Sequence, residues 1–317
     1  MIVLELLTTL LLAVHLLAMN LASAGPVVCI WLRWGGNELN DSLGRQLAWW
    51  SIVALVLGMV TGGLLIVTTP GDGLWNALAR FPANAYWFAA AELVFSLVCL
   101  VAISGGWQVL NKWWLAFLAV MTATNLLYHF PPMMAVIGQL ATNGKWASEA
   151  VIDRPVLLGL MGRGEVLALS FHFGLSSLAV AGIAVLQLLT RQQKQAAEAI
   201  ASPARGAAVI ALVATLAQIP IGVWLLTSLP AASRTALMGT SSLASLTFLV
   251  ALVTSLGLLQ RLVTVALGET DHKNLRQVVS LLCGVVLLMT FSLRLSRPNV
   301  PLPKAETKIA SNQAVRG

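Results

Sequence analysis

Charge is what this chain has least of. Only 10% of its 317 residues are Asp, Glu, Lys or Arg, while 58% are hydrophobic, and the mean hydropathy is +0.85. A soluble domain carries roughly 25% charged residues. A water-soluble globule is therefore excluded and a polytopic membrane protein is expected. Cysteine is scarcer still. Cys29, Cys99 and Cys283 stand singly inside apolar runs, with no CxxC or CxxCH. That excludes covalent c-type haem attachment, a cysteine zinc site and a dithiol redox motif; the three read as small buried apolar residues. The first apolar run has no basic segment and no clean cleavage site, so it is expected to stay as a membrane helix rather than leave as a signal peptide. Nucleotide-binding motifs, quinone motifs and catalytic triads are also missing. The net charge of +7 comes from Lys and Arg spread thinly over short loops and a tail. This is the pattern of a chain lying against anionic headgroups, and it speaks against a nucleic-acid partner.

What is present is a series of long apolar runs. A span needs about 20 apolar residues. Eight candidates meet that length, near 4–32, 47–68, 83–104, 113–140, 162–189, 207–227, 237–262 and 278–295. Residues 141–161, with Lys145, Glu149, Asp153 and Arg154, are expected to lie at the membrane surface. Residues 190–206 read as a polar linker, and the tail after Arg297 as extended. Trp31, Trp49, Trp113 and Trp114 cluster at span ends, as an aromatic belt would place them. His272 lies among Glu269, Asp271 and Lys273 and reads as a solvated loop residue, and Glu165 with Arg163 as an interfacial pair.

One of the rare histidines sits inside a repeat. His15 to Gly25 reads His-Leu-Leu-Ala-Met-Asn-Leu-Ala-Ser-Ala-Gly, and His172 to Gly182 reads His-Phe-Gly-Leu-Ser-Ser-Leu-Ala-Val-Ala-Gly. Both share His, five residues, Leu-Ala, one residue, Ala-Gly. Ile52 to Val56 matches Val209 to Val213 at the same offset of 157, and Gly62 and Pro70 match Gly222 and Pro230 at an offset of 160. The expected fold is all-α, with about eight transmembrane helices in two tandem four-helix bundles. The first bundle would occupy 1–150, the second 151–296, and a polar tail 297–317.

Depth counting gathers the polar groups. At 1.5 Å per residue, His15, Glu92, His129 and His172, on four different spans, each lie roughly 15 Å from the face that holds the N-terminus. Burying them toward one another is cheaper than exposing them to lipid. Asn20 and Asn125 share these spans and are candidates for hydrogen-bonding the ring nitrogens. Facing helices of a four-helix bundle can hold haem iron between two histidines, or between histidine and methionine. In the first repeat the ligands would be His15 and His129. Carrying His129 forward by 160 reaches Met289, so the second repeat would use His172 and Met289. The expected cofactor is haem b, one or two per chain. Copper or another metal on the three histidines, and a cofactor-free transporter or scaffold subunit, are the alternatives.

A histidine in the first span, a glutamate in the third and a histidine in the fifth make the layout resemble the large haem-bearing subunit of cytochrome bd-type quinol oxidases. The likeness covers roughly residues 1–190 and implies that His15, Glu92 and His172 take the places of haem-site residues. The connection between the sixth and seventh spans, about 228–236, is far shorter than that family's quinol-binding loop. Plain electron transfer is therefore implied rather than oxygen reduction. The opening helix is also similar to that of CopD-type eight-helix membrane proteins. On this reading the chain meets membrane lipid, other membrane subunits, a quinone and a c-type cytochrome. The expected site is a bacterial-type inner membrane. The face opposite the N-terminus carries nine loop Lys and Arg against five on the N-terminal face. Positive residues favour the cytoplasm, so both termini are expected to be periplasmic.

Overall fold

In hydrocarbon every backbone N–H and C=O has to be satisfied within the chain, which makes long apolar segments helical. A computed structural model describes residues 2–68, 72–142, 146–192 and 197–296, and all regular structure in them is helical. The first half runs α1 (Ile2–Trp34), α2 (Glu38–Thr68), the short α3 (Asp72–Leu78), α4 (Ala83–Gly105) and α5 (Lys112–Thr142). A short α6 (Arg154–Met161) leads to α7 (Gly164–Leu189), α8 (Ala197–Ser228), a short α9 (Ala231–Thr235), a π-helical turn (Ala236–Thr240), α10 (Ser242–Ala266) and α11 (His272–Leu295). Seven of these, α1, α2, α4, α7, α8, α10 and α11, are long and apolar enough to cross a membrane. The chain is an all-α polytopic membrane protein. Helix α5 has the length, 31 residues, but carries Asn125, Tyr128, His129 and Pro131-Pro132 toward its centre. Its polar content is the mark of a helix with something other than lipid to face.

Several helices outrun their apolar spans, because hydrophobicity marks only the lipid-embedded part of a helix. Helix α2 begins at Glu38, nine residues before its apolar run, with the Asn37 side chain accepting from the Asn40 N–H at 2.7 Å. Asn111 opens α5 by accepting from the Trp113 and Trp114 N–H groups, each at 3.0 Å. Such side-chain oxygens satisfy orphan donors of a first turn. Helix α8 already starts at Ala197, so much of the expected linker is helical. Asp271 caps α11 through the Asn274 N–H at 2.7 Å, which makes His272 the first helical residue instead of a loop residue. His272 is half-buried, and its Nδ1 is buried without a hydrogen-bond partner. The tail 297–317, Pro70 and Lys145 lie outside the described residues.

The helices pack in a regular order. Helix α1 lies on α2, α2 on α4, α4 on α5, and α5 returns to α1. In the same way α7 lies on α8, α8 on α10, α10 on α11, and α11 returns to α7. The two sets meet through α1 and α7, flanked by α5 against α7 and α11 against α1. The largest buried cluster sits where they meet, toward the face opposite the N-terminus. It joins Val28, Leu32, Leu47 and Trp107 to Val185, Leu189, Ala207 and Leu262. A second cluster, with Phe81, Ile137, Ile152 and Met161, packs the loop segment onto the ends of α3, α5 and α6. A third fills the first set at the level of Met19, Leu55, Leu100 and Leu126.

Candidate functional site

The repeat has a packing role that the histidines do not explain. A Cβ on Gly182 would lie 2.8 Å from the Ala207 carbonyl oxygen and 3.2 Å from the Ala211 nitrogen. A Cβ on Gly25 would run into the Ser51 hydroxyl. The two glycines thus let α7 approach α8, and α1 approach α2, closely. The repeated positions also meet. Asn20 and Ser177 stand 157 residues apart, the offset of the repeat, and the Ser177 hydroxyl donates to Asn20 Oδ1 at 2.8 Å. The structure therefore bonds Asn20 across to α7, and among the described residues it makes no hydrogen bond to a ring nitrogen.

His15 is bound across to α2. Its Nδ1 is 2.9 Å from the Gly58 carbonyl oxygen and 3.3 Å from the Thr61 hydroxyl. A carbonyl only accepts, so Nδ1 carries the proton and Nε2 the lone pair. The ring lies over Gly62, where a Cβ would come within 2.9 Å of Cε1. A metal-ligating histidine has this hydrogen-bonding pattern, with one nitrogen tied to a carbonyl and the other left to ligate.

His129 belongs to a different group. Its Nδ1 is 3.2 Å from a Glu92 carboxylate oxygen and 3.1 Å from Asn125 Oδ1. The Asn125 amide orients the set, because its Nδ2 donates to the Glu92 carbonyl and to the Ser96 hydroxyl, each at 2.8 Å. That leaves Oδ1 to accept from His129, so Nδ1 of this ring is also the protonated nitrogen. The Tyr128 ring stands edge-on to His129 with centroids 4.9 Å apart. Glu92, Ser96, Asn125 and His129 thus join α4 to α5 through one polar network. The depth layer divides in the structure: His15 makes its bonds to α2, and His129 makes its bonds within the α4–α5 network.

His172 has the least support. Its Nδ1 is buried and has no hydrogen-bond partner. Nearby, the Ser176 hydroxyl donates to the His172 carbonyl at 2.8 Å and to Gln218 Oε1 at 3.0 Å. Gln218 stands 157 residues after Thr61, the offset between the two histidines, but bonds Ser176 instead of the ring. The surroundings differ as well. Gly58 and Thr61 are buried in α2, whereas no α8 residue beyond Ala214 is buried. Met289 is half-buried on α11, which packs against α7.

Among the described residues no group of three or more His, Cys, Asp or Glu side chains is placed to hold a metal ion. The shared depth of the histidines therefore does not amount to a three-histidine metal centre. Compared with known proteins, the chain matches no family model and no curated protein sequence.

Sequence reasoning missed the partners more than the histidines. Gly58, Thr61, Ser96, Ser176 and Gln218 are ordinary residues in apolar helices until the fold sets them opposite a ring or an amide. Ser177 and Gln218 could have been found by carrying Asn20 and Thr61 forward by 157. At the N-terminal face Arg294 of α11 bonds the Thr8 hydroxyl and reaches a Glu5 carboxylate oxygen at 3.2 Å. This contact fastens the last helix to the first. Glu165 and Arg163 are held together by Trp146: Glu165 accepts from its indole N–H at 2.9 Å, and the Arg163 guanidinium lies 4.6 Å from the ring centroid.

Proposed function

We propose that the chain is a membrane cytochrome b-like subunit, built as two tandem four-helix bundles, that carries haem b for electron transfer. One observation carries this reading: the buried, unpartnered Nδ1 of His172, in the half of the molecule where the facing helix α8 contributes no buried residue beyond Ala214. An unsatisfied buried ring nitrogen costs roughly 1–3 kcal/mol, a cost that ligation or a bound group's hydrogen bond would remove. His15 fits the same chemistry from the other side, with Nδ1 already donated to Gly58 and Nε2 left over.

Haem bound here would supply a one-electron iron couple in a site of low dielectric. The chain's own residues would set its environment. His172 and Met289 would hold the iron. His15 would be held in a fixed tautomer by Gly58 and Thr61, over the cradle left by Gly62. Glu92 and His129 would hold a proton between them beside the site, with Asn125 fixing which nitrogen carries it. The electron donor and acceptor would be a quinol or partner subunit and a c-type cytochrome, in a bacterial-type inner membrane with both termini periplasmic. The layout of His15, Glu92 and His172 supports kinship with the haem-bearing subunit of bd-type oxidases.

Reduced-minus-oxidised spectra of the detergent-purified protein test this directly. A b-type α band is expected, diminished in His172→Ala. Absence of any such band in the wild-type protein would overturn the reading. It would favour a cofactor-free subunit, a second reading to which the α4–α5 network lends weight: Glu92, Asn125 and His129 already satisfy one another without a cofactor.

A further inference from the structure

At the face opposite the N-terminus, α2 and α4 present a basic hollow that the haem reading does not use. It is a cleft of about 430 Å³ lined by Arg45, Gln46, Trp49, Trp50 and Ser104. Arg191, just past the end of α7, lies across the Trp50 ring at 4.9 Å from the centroid. Arg45 is exposed and forms no salt bridge among the described residues. The acid one turn before it on α2, Asp41, is already taken. It pairs with Arg33 and accepts from the Trp107 indole N–H at 3.1 Å.

The level of the cleft decides what kind of anion it meets. Arg45 is seven residues into α2, about 10 Å along the axis from its polar start. Ser104 stands one residue before the end of α4. The cleft therefore lies at the border between headgroups and hydrocarbon, where tryptophan rings settle and arginine stems snorkel. The guanidinium of Arg45 in the cleft and that of Arg191 beside it, with no acidic side chain among the described lining residues, call for an outside counter-charge. A phosphodiester fits a guanidinium fork. Gln46 and Ser104 offer further polar contacts, and the indole faces of Trp49 and Trp50 offer surface to the glycerol and upper acyl carbons.

We propose that this cleft binds the phosphate of an anionic phospholipid, with Arg45 and Arg191 as the recognising charges. The lipid then acts as a fixed counter-ion that links the α2–α4 edge to the end of α7, and so one half of the molecule to the other. The site stands apart from the histidines and holds whether or not haem is bound.

Native mass spectrometry of the full chain, released from micelles containing equal amounts of phosphatidylglycerol and phosphatidylcholine, tests it. Wild-type protein is expected to retain phosphatidylglycerol in preference. Arg45→Gln should lower that preference about five-fold, and adding Arg191→Gln should lower it by a similar factor again. Arg234→Gln, which removes one charge from the opposite face, should leave it unchanged. Equal retention of both lipids by wild-type protein, or an equal loss with Arg234→Gln, would overturn the proposal. So would displacement of the lipid by millimolar inorganic phosphate, because the site would then take a free anion. A monodisperse Arg45→Gln protein with unaltered phosphatidylglycerol retention would overturn it as well, since it would show that another group holds the lipid.

Discussion

The halves 2–142 and 164–295 share a plan and differ in how their histidines are held. In the first, His15 is tied to α2 by Gly58 and Thr61, and the interior at that level is filled by Met19, Leu55, Leu100 and Leu126. In the second, the buried Nδ1 of His172 has no partner, Gln218 has turned to Ser176, and α8 beyond Ala214 contributes no buried residue. The first half also owns a second polar network, Glu92–His129–Asn125, which joins α4 to α5. The difference teaches that similar sequence around two histidines need not give them the same surroundings. The glycines allow close helix approach in both halves, while the groups around each ring differ.

The comparison breaks most readily at the histidines. If the second half is the more open to a cofactor, His172→Ala should remove the larger share of b-type absorbance and His15→Ala the smaller, read from pyridine haemochrome spectra. An equal loss from both variants would erase the distinction. Next in size is the glycine pair. Gly182→Ala meets backbone atoms of α8, whereas Gly25→Ala meets the rotatable Ser51 hydroxyl. Overpacking costs typically 1–3 kcal/mol. Gly182→Ala should sit near the top of that range and Gly25→Ala near or below its bottom, as measured by unfolding in mixed micelles.

The ring environments offer a smaller test in haem-free protein. His15→Leu strips two acceptors of their partner and should cost about 1 kcal/mol. His172→Leu removes a buried nitrogen that already has no partner and should raise stability by about 1 kcal/mol. A large loss from His172→Leu would show that its ring is bonded after all. The smallest effect belongs to the contact between the halves. A double-mutant cycle on Asn20→Ala and Ser177→Ala should give a coupling of about 0.6 kcal/mol, ordinary for interhelical hydrogen bonds in membranes. No coupling would show that this hydrogen bond does not help hold α1 to α7.

Much of this was legible beforehand. Low charge and long apolar runs marked an all-α membrane chain, because hydrocarbon leaves the backbone no other way to satisfy its hydrogen bonds. The repeat around His15 and His172 was visible as spacing, and its glycines proved to be packing positions. Helix ends were less legible. Glu38 to Gln46 and Ala197 to Gly206 are helical without being apolar, so hydropathy passed over them. His272 became a helical residue through the cap at Asp271, a signal that was present and outweighed by the surrounding charges.

The sequence by itself determined the solvent, the helical class of the fold and the position of each polar group along its helix, since rise per residue and apolar length are local properties. Only the tertiary structure decided which groups face each other. Depth says nothing about rotation around a helix axis or about which helix stands opposite. That is why His15 bonds to Gly58, His129 joins Glu92, Asn20 finds Ser177, and His172 is left with a buried nitrogen unpaired inside its span.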